Sequence, residues 1–211
     1  MSQKYPSASR RGRPSSEESE RILCAVLDAA QNLFMKQGFA STTMEAVAQT
    51  AGLTKRTVYR KMPNKTALFE AVVRRYAEAH KLPAFSRVQN GSLEERLSVA
   101  AVHLLDWILE PEVLTMYRVT VAEAAQFPML ARVVADVAVK GATEAIAGIL
   151  AADSPHRSCS SIHFGAEMFM AIVAALPFHQ AVELRDSPGM TLDKQKRAYK
   201  CVKFFLKAWN S

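Results

Sequence analysis

The strongest constraint on this chain lies in residues 42–63, TTMEAVAQTAGLTKRTVYRKMP. Two helical runs of about seven residues, near 44–50 and 55–61, are separated by Ala51-Gly52-Leu53-Thr54 and closed by Pro63. Gly52 can take positive φ in the turn, and Thr54 can cap the second run. Thr42 and Thr43 offer caps for the first, with Glu45 three residues after Thr42 as in a capping box. Helices this short do not persist alone, so they must pack on each other and on a neighbour. Ala48 and Ala51 are small enough for close approach, and Val47, Leu53 and Val58 can share a core. Lys55, Arg56, Thr57, Tyr59, Arg60 and Lys61 are then left for the outer side of the second helix.

The rest of the chain is also punctuated as helices, with almost no strand signal. Residues 1–16 read as a basic, extended arm containing Arg10-Arg11-Gly12-Arg13-Pro14. Ser15 with Glu18 forms a capping box for a first helix, which carries Ile22, Val26, Ala29, Ala30 and Leu33 on one side and ends at Gly38. Asn64 caps a fourth helix with Leu68, Phe69, Val72, Val73 and Tyr76 inward. Past Pro83 a linker runs to Gly91. Further helices are expected near 93–109, from Pro111, near 129–151, 160–184 and 192–209. The expected fold is all-α with about nine helices, divided into an arm (1–16), a three-helix head with its connecting helix (17–81) and a helical-bundle body (82–211).

Charge supports that division. The first 81 residues hold fourteen Lys and Arg against seven Asp and Glu, while the remainder hold thirteen of each, so the whole net charge of +7 belongs to the head and arm. A basic head on a neutral body is an electrostatic footprint for a polyanion. With 49% hydrophobic and 22% charged residues the composition is that of a globular protein. No run approaches the roughly 20 apolar residues of a membrane span, and no secretory leader is seen, so a cytoplasmic location and no membrane partner are expected. Cys24, Cys159 and Cys201 are scattered and odd in number. The histidines do not fall at metal-ligand spacing, and no catalytic constellation or Gly-rich phosphate loop is present. Neither a metal, a cofactor nor an enzyme activity is expected.

Two short helices joined by a Gly-containing turn, with four cations in seven residues on the second, have the plan of a helix-turn-helix DNA reader. Gly38, Thr43, Val47-Ala48, Ala51-Gly52-Leu53-Thr54, Val58-Tyr59, Lys65, Leu68 and Val72 stand at the spacing of the TetR-family DNA-binding domain. The chain resembles that family over about residues 17–75. The resemblance implies that Thr43 caps the second helix and touches phosphate, that Tyr59 reaches the DNA backbone, that Lys65 meets phosphate, and that Lys55, Arg56 and Thr57 face the bases. Thr54, Arg60 and Lys61 complete the expected interface. Where the family has x-His-Phe after the tyrosine, this chain has Arg60-Lys61-Met62, which implies a permanent charge and more salt-sensitive binding. The arm, through Arg11 and Arg13, is either a minor-groove probe or a basic leader that adds non-specific affinity.

The body resembles one TetR C-terminal subtype around Met116-Tyr117-Arg118-Val119 and Glu123-Ala124-Ala125-Gln126-Phe127-Pro128. Residues expected to line a pocket for an apolar effector are Trp107, Met116, Tyr117, Phe127, Phe164, Met168 and Phe169, with His103, Arg118 and Glu123 as polar contacts. Each aromatic and methionine can equally be core, and Arg118 with Glu123 can equally be an ion pair. Phe164, Met168, Ile172, Ala175 and His179 on one C-terminal helix, and Val202, Phe205, Leu206 and Trp209 on the other, are expected at a homodimer interface, as the family implies. The leading expectation is a homodimeric, ligand-relieved repressor on a palindromic operator. The competing ones are an all-α small-molecule binder and a non-specific architectural DNA protein.

Overall fold

A computed structural model describes residues 16–79 and 91–211. The arm, with Ser15, Arg11 and Arg13, and the linker to residue 90 lie outside the described residues. Nine helices are present among the described residues: α1 (Ser16–Ser41), α2 (Met44–Thr50), α3 (Lys55–Lys61), α4 (Lys65–Ala79), α5 (Leu93–Ile108), α6 (Pro111–Glu123), α7, α8 (Cys159–Val182) and α9 (Leu192–Trp209). Helix α7 runs from Pro128–Val134 through a π-helical turn, Ala135–Val139, into Lys140–Asp153. No strand occurs among the described residues.

Helix α1 does not simply stop at Gly38. The glycine takes φ 81° and ψ 174°, a conformation nearly confined to glycine, and a further helical turn follows to Ser41. Thr42, buried, donates its hydroxyl to the Gly38 carbonyl at 2.7 Å. It is therefore Thr43 that caps α2, accepting from the Ala46 amide at 3.1 Å, and no box forms between Thr42 and Glu45. Thr54 caps α3 and Asn64 caps α4 through the Ala67 amide. Ser92 and Glu95 form the expected box on α5.

The apolar residues sort into two cores. One gathers Val26, Ala30, Phe34, Phe39, Val47, Val58, Leu68, Phe69 and Val72 from α1–α4, and takes in Met116 and Leu130 from the body. The head therefore shares its core with α6 and α7. The other joins α5, α7, α8 and α9 through Leu97, Leu104, Leu105, Ile146, Phe169, Val173, Val202 and Phe205. Each such Val, Leu, Ile, Met or Phe side chain contributes about 1.5–3 kcal/mol by burial.

The inner face of α9 corrects one expectation. Val202, Phe205 and Trp209 are buried in the chain's own core, with Leu206 half-buried beside them. Phe205 packs edge-on to Phe169 at 5.3 Å, and the Trp209 ring lies where any side chain at Gly165 would have to go. Periodicity found this stripe but could not tell an internal face from an external one. The stripe on α8 differs: Phe164 is 61% and Met168 38% exposed, Ala175 and His179 are exposed, and Ile172 is half-buried.

Helix α8 is, by length and composition, apolar enough to cross a membrane, with a mean hydropathy of 1.5 over its best window. Its Ala166, Phe169 and Val173 side is nevertheless spent on the body core. The loop from α8 to α9 is tied down by Lys194, a buried ammonium that donates to the Ser187 and Gly189 carbonyls (2.5 and 3.0 Å) and pairs with Asp186 at 3.2 Å. The Gly189 amide donates in turn to the Leu109 carbonyl at 2.7 Å.

Candidate nucleic-acid interface and apolar cavity

Helix α3 has one buried residue, Val58, fully enclosed by the head core. That anchor turns Lys55, Arg56, Tyr59 and Arg60 outward, all exposed. Thr54 and Thr57 share a hydroxyl–hydroxyl hydrogen bond of 2.9 Å at the start of the helix, which leaves Thr57 half-buried. Lys55 forms an ion pair with Glu45 of α2, and its ammonium lies 5.9 Å from the Tyr59 ring centre. The expected cationic face is therefore assembled, with one acidic residue inside it.

Two expected phosphate partners are turned away from that face. Lys61 donates to the Ser19 hydroxyl of α1. Lys65 donates to the carbonyls of Phe39 (2.6 Å) and Ala40 (3.0 Å) and lies over the Phe39 ring at 4.5 Å. Burial pushes the Lys65 ammonium below its ordinary pKa, against the pull of the Glu123 carboxylate. Its side chain is a fastener at the end of α1, a role that motif spacing does not disclose.

Glu123 meets Lys65 at that same point. Its two carboxylate oxygens accept from the backbone amides of Phe39 and Ala40, each at 2.6 Å. A Cβ at Gly38 would overlap the carboxylate, so the glycine is needed both for its φ and for the close approach. Glu123 is thus a clamp from the end of α6 onto the α1–α2 junction, not a ligand contact. Phe127 likewise belongs to the head, packing on Phe39 at 5.1 Å. Arg118 does not pair with Glu123 but donates to the Val182 and Ala181 carbonyls (2.9 and 2.6 Å), closing the end of α8.

An apolar cavity of about 290 Å³ lies between α4, α5, α6, α7 and α8. Val73 and Tyr76 of α4 form one wall, Trp107, Met116, Tyr117 and Thr120 another, and Met170, Ala174, Phe178 and His179 a third. Val134, Ala138 and Val139 of α7 close it, Val139 and His179 being exposed at its rim. Tyr117 packs edge-on against Phe178 at 4.8 Å. Burial raises the Tyr76 pKa, and its hydroxyl accepts from Gln31 at 2.5 Å. Of the expected lining, Trp107, Met116 and Tyr117 are there. His103 is exposed on α5, Phe164 and Met168 are on the outside of α8, and Phe169 is in the body core, so these three apolar residues and the histidine lie outside the cavity with Arg118, Glu123 and Phe127. The cavity lies among the fourth to eighth helices, where a pocket is expected, but Val73, Tyr76, the π-turn residues and His179 are not among the expected lining, because residues this far apart in sequence carry no common local signal.

A head whose short third helix offers cations outward, fused through a shared core to a helical body with an apolar cavity, has the plan of a helix-turn-helix transcription regulator. Residues 26–72 match the family model for bacterial regulatory proteins of the tetR family, and residues 95–211 match that of the AefR-like transcriptional repressor C-terminal domain. The chain belongs to the TetR family, with a C-terminal domain of the AefR-like type.

Among relatives, the regulator TtgR of Pseudomonas putida is 32% identical over 68 residues, 32% of each chain. The chain thus spans about a third of the length of the curated relatives it matches. A TetR-family regulator from Mesorhizobium loti superposes with a TM-score of 0.77 at 21% identity, covering 90% of this chain and 97% of that one, which establishes the fold. The flavonoid-responsive regulator FrrA superposes with a TM-score of 0.72 at 26% identity, over 90% and 97% of the two chains.

Proposed function

We propose that the protein is a homodimeric repressor that binds a palindromic operator through α3 and is released from it by a small apolar effector. The observation that carries this reading is the outward set Lys55, Arg56, Tyr59 and Arg60 on a helix anchored by buried Val58. Phosphate contacts from such a face would position the protein, and Arg56, exposed on it, would read base edges as the family resemblance implies. Thr43, Thr54 and Thr57 bracket the face.

The exposed apolar side of α8, through Phe164, Met168, Ala175 and Leu176, supports pairing with a second copy, since a row of large apolar groups on one helix is costly to leave in water. Dimerisation would set two heads about one helical turn of DNA apart.

The cavity wall is built from Trp107, Tyr117, Phe178 and Tyr76 with no Lys, Arg, Asp or Glu among its described residues. That chemistry favours an uncharged, flat, aromatic effector, with His179 and the tyrosines as hydrogen-bonding points. The flavonoid responsiveness of FrrA points the same way. Helix α6 contributes Met116, Tyr117 and Thr120 to the cavity and Glu123 to the clamp on the head. An effector that prefers one placement of α6 would shift operator affinity by that preference and no more.

The test is to titrate flavonoid aglycones into the protein, following Trp107 fluorescence and release of bound operator duplex. Saturable quenching with release supports a ligand-relieved repressor, and Trp107→Phe should retain release while losing most of the quench. Binding without any change in operator affinity would leave a small-molecule binder and remove ligand relief.

A further inference from the structure

We propose that Glu45 determines the specificity of the DNA-reading face by holding Lys55 as its counter-ion until a base edge takes the ammonium's place. This rests on the DNA-reading function proposed above. In residues 42–63 Glu45 is the one acidic residue, set among Lys55, Arg56, Arg60 and Lys61. It stands in the first turn of α2, and Lys55 opens α3 across the turn; the two form an ion pair on the outer face, both more than half exposed.

Glu45 suits the N-terminal turn of α2 as an acidic side chain, but it is more than half exposed and takes no part in the head's core. The capping role that its spacing from Thr42 suggests is not used, because Thr42 is buried and bonded to the Gly38 carbonyl while Thr43 caps the helix. The carboxylate, bonded to the start of its own helix and to Lys55, lies on the outer face. A hydrogen bond from Lys55 holds Glu45 below its ordinary pKa and, in return, the ammonium above its own, so both stay charged at neutral pH. The Tyr59 ring, 5.9 Å from the ammonium, confines it further.

A cation already neutralised by a neighbour releases no counter-ion from DNA, and a carboxylate facing phosphate repels it. On arbitrary duplex the Glu45–Lys55 pair therefore subtracts one contact and adds repulsion. Where the site offers an exocyclic amino group of cytosine or adenine in the major groove, the carboxylate can accept from it, and Lys55 becomes free for phosphate or for a guanine edge. Discrimination then arises from a penalty on wrong DNA as much as from a reward on the right one.

The experiment compares the full chain and its Glu45→Gln, Lys55→Ala and double variants on a duplex selected from a randomised library and on a scrambled duplex, across a salt series. Glu45→Gln should raise affinity for the scrambled duplex by about tenfold and steepen its salt slope by about one. It should help the selected duplex less, so the preference narrows. With Lys55 already alanine, the same substitution should leave the slope unchanged. A scrambled-duplex slope that Glu45→Gln does not alter overturns the proposal, as does an equal change in the Lys55→Ala background. A wild-type protein that prefers no duplex would fail at the earlier step and remove the regulator reading itself.

Discussion

The amide of Phe39 donates to the Glu123 carboxylate at 2.6 Å, across 84 positions of sequence, and so joins the end of α1 in the DNA-reading head to the last turn of a cavity-lining helix. Ala40 donates to the other oxygen of the same carboxylate, while Lys65 holds the two carbonyls of the same turn. Both sides of one peptide turn are thereby gripped, one from the body and one from the head.

Replacing Gly38 with alanine should strike this junction directly. Its φ of 81° strains any other residue, and the new Cβ would collide with Glu123. Strain of about 1–3 kcal/mol with loss of a charge-assisted bond worth about 1.5–3 kcal/mol predicts a large fall in the denaturant midpoint. A loss under about 0.5 kcal/mol, the ordinary range for surface changes, would show that the clamp is not needed.

Glu123→Gln keeps the shape of the clamp but leaves one acceptor for two amides. Hydrogen exchange at Phe39 and Ala40 should accelerate strongly, with a stability loss of about 2 kcal/mol, while α8 and α9 keep their protection. Exchange rates equal to wild type at those two amides would contradict the contact.

Substitution of Arg56 by alanine should relax particular base positions of the operator at about 1–3 kcal/mol, whereas Lys61→Ala should cost little affinity, since its ammonium is engaged with Ser19. Competition assays with single-base variants distinguish the two. A uniform loss for Arg56→Ala at every position would reduce that residue to a phosphate contact.

Charging the outer side of α8, as Phe164→Glu or Met168→Glu, should convert a dimer to monomers in sedimentation velocity without lowering the melting temperature of the monomer core. Phe205→Glu, by contrast, should unfold the body, because that ring is buried in it. Dimers that survive both α8 changes would place the interface elsewhere.

Acid should weaken the fold through its depressed carboxylates, Glu45 beside Lys55 and two in the body. Hydrogen bonds from the Ser92 amide and hydroxyl hold Glu95 below its ordinary 4.5, and the Lys194 ammonium and Ser187 amide hold Asp186 below 3.8. A depressed carboxylate pKa gives stability that is fully present above the ordinary value and lost as pH falls through the lowered one. The melting temperature should therefore be level from about pH 7 to about 5 and decline below about 4.5. Glu95→Gln should flatten part of that decline, and a profile superimposable on wild type would exclude Glu95 as a source.

Much of the fold was legible because it is written locally. Thr54, Asn64 and Ser92 cap where their spacing says, Thr43 caps in place of the Thr42 that the spacing to Glu45 favours, and Pro111 and Pro128 open helices. Four of the six residues expected on the outer face of α3 are exposed there, whereas Thr57 is half-buried and Lys61 turns to Ser19. What stayed hidden depends on which partner each side chain meets. Glu123 and Arg118 stand five apart with opposite charge, yet each is claimed by backbone groups from another helix. Val202, Phe205 and Trp209 form an apolar stripe whose direction only packing decides. The cavity draws Val73, Val139 and His179 from three distant helices.

The most direct measurement is retention of a randomised duplex library by the purified protein in about 0.15 M salt, near physiological screening, followed by sequencing of what is bound. A palindromic consensus with half-sites about one helical turn apart, weakened at defined positions by Arg56→Ala, is the predicted result. Retention without any consensus would contradict a sequence-specific regulator and leave a general DNA binder, and no retention at all would show that the basic head serves another purpose.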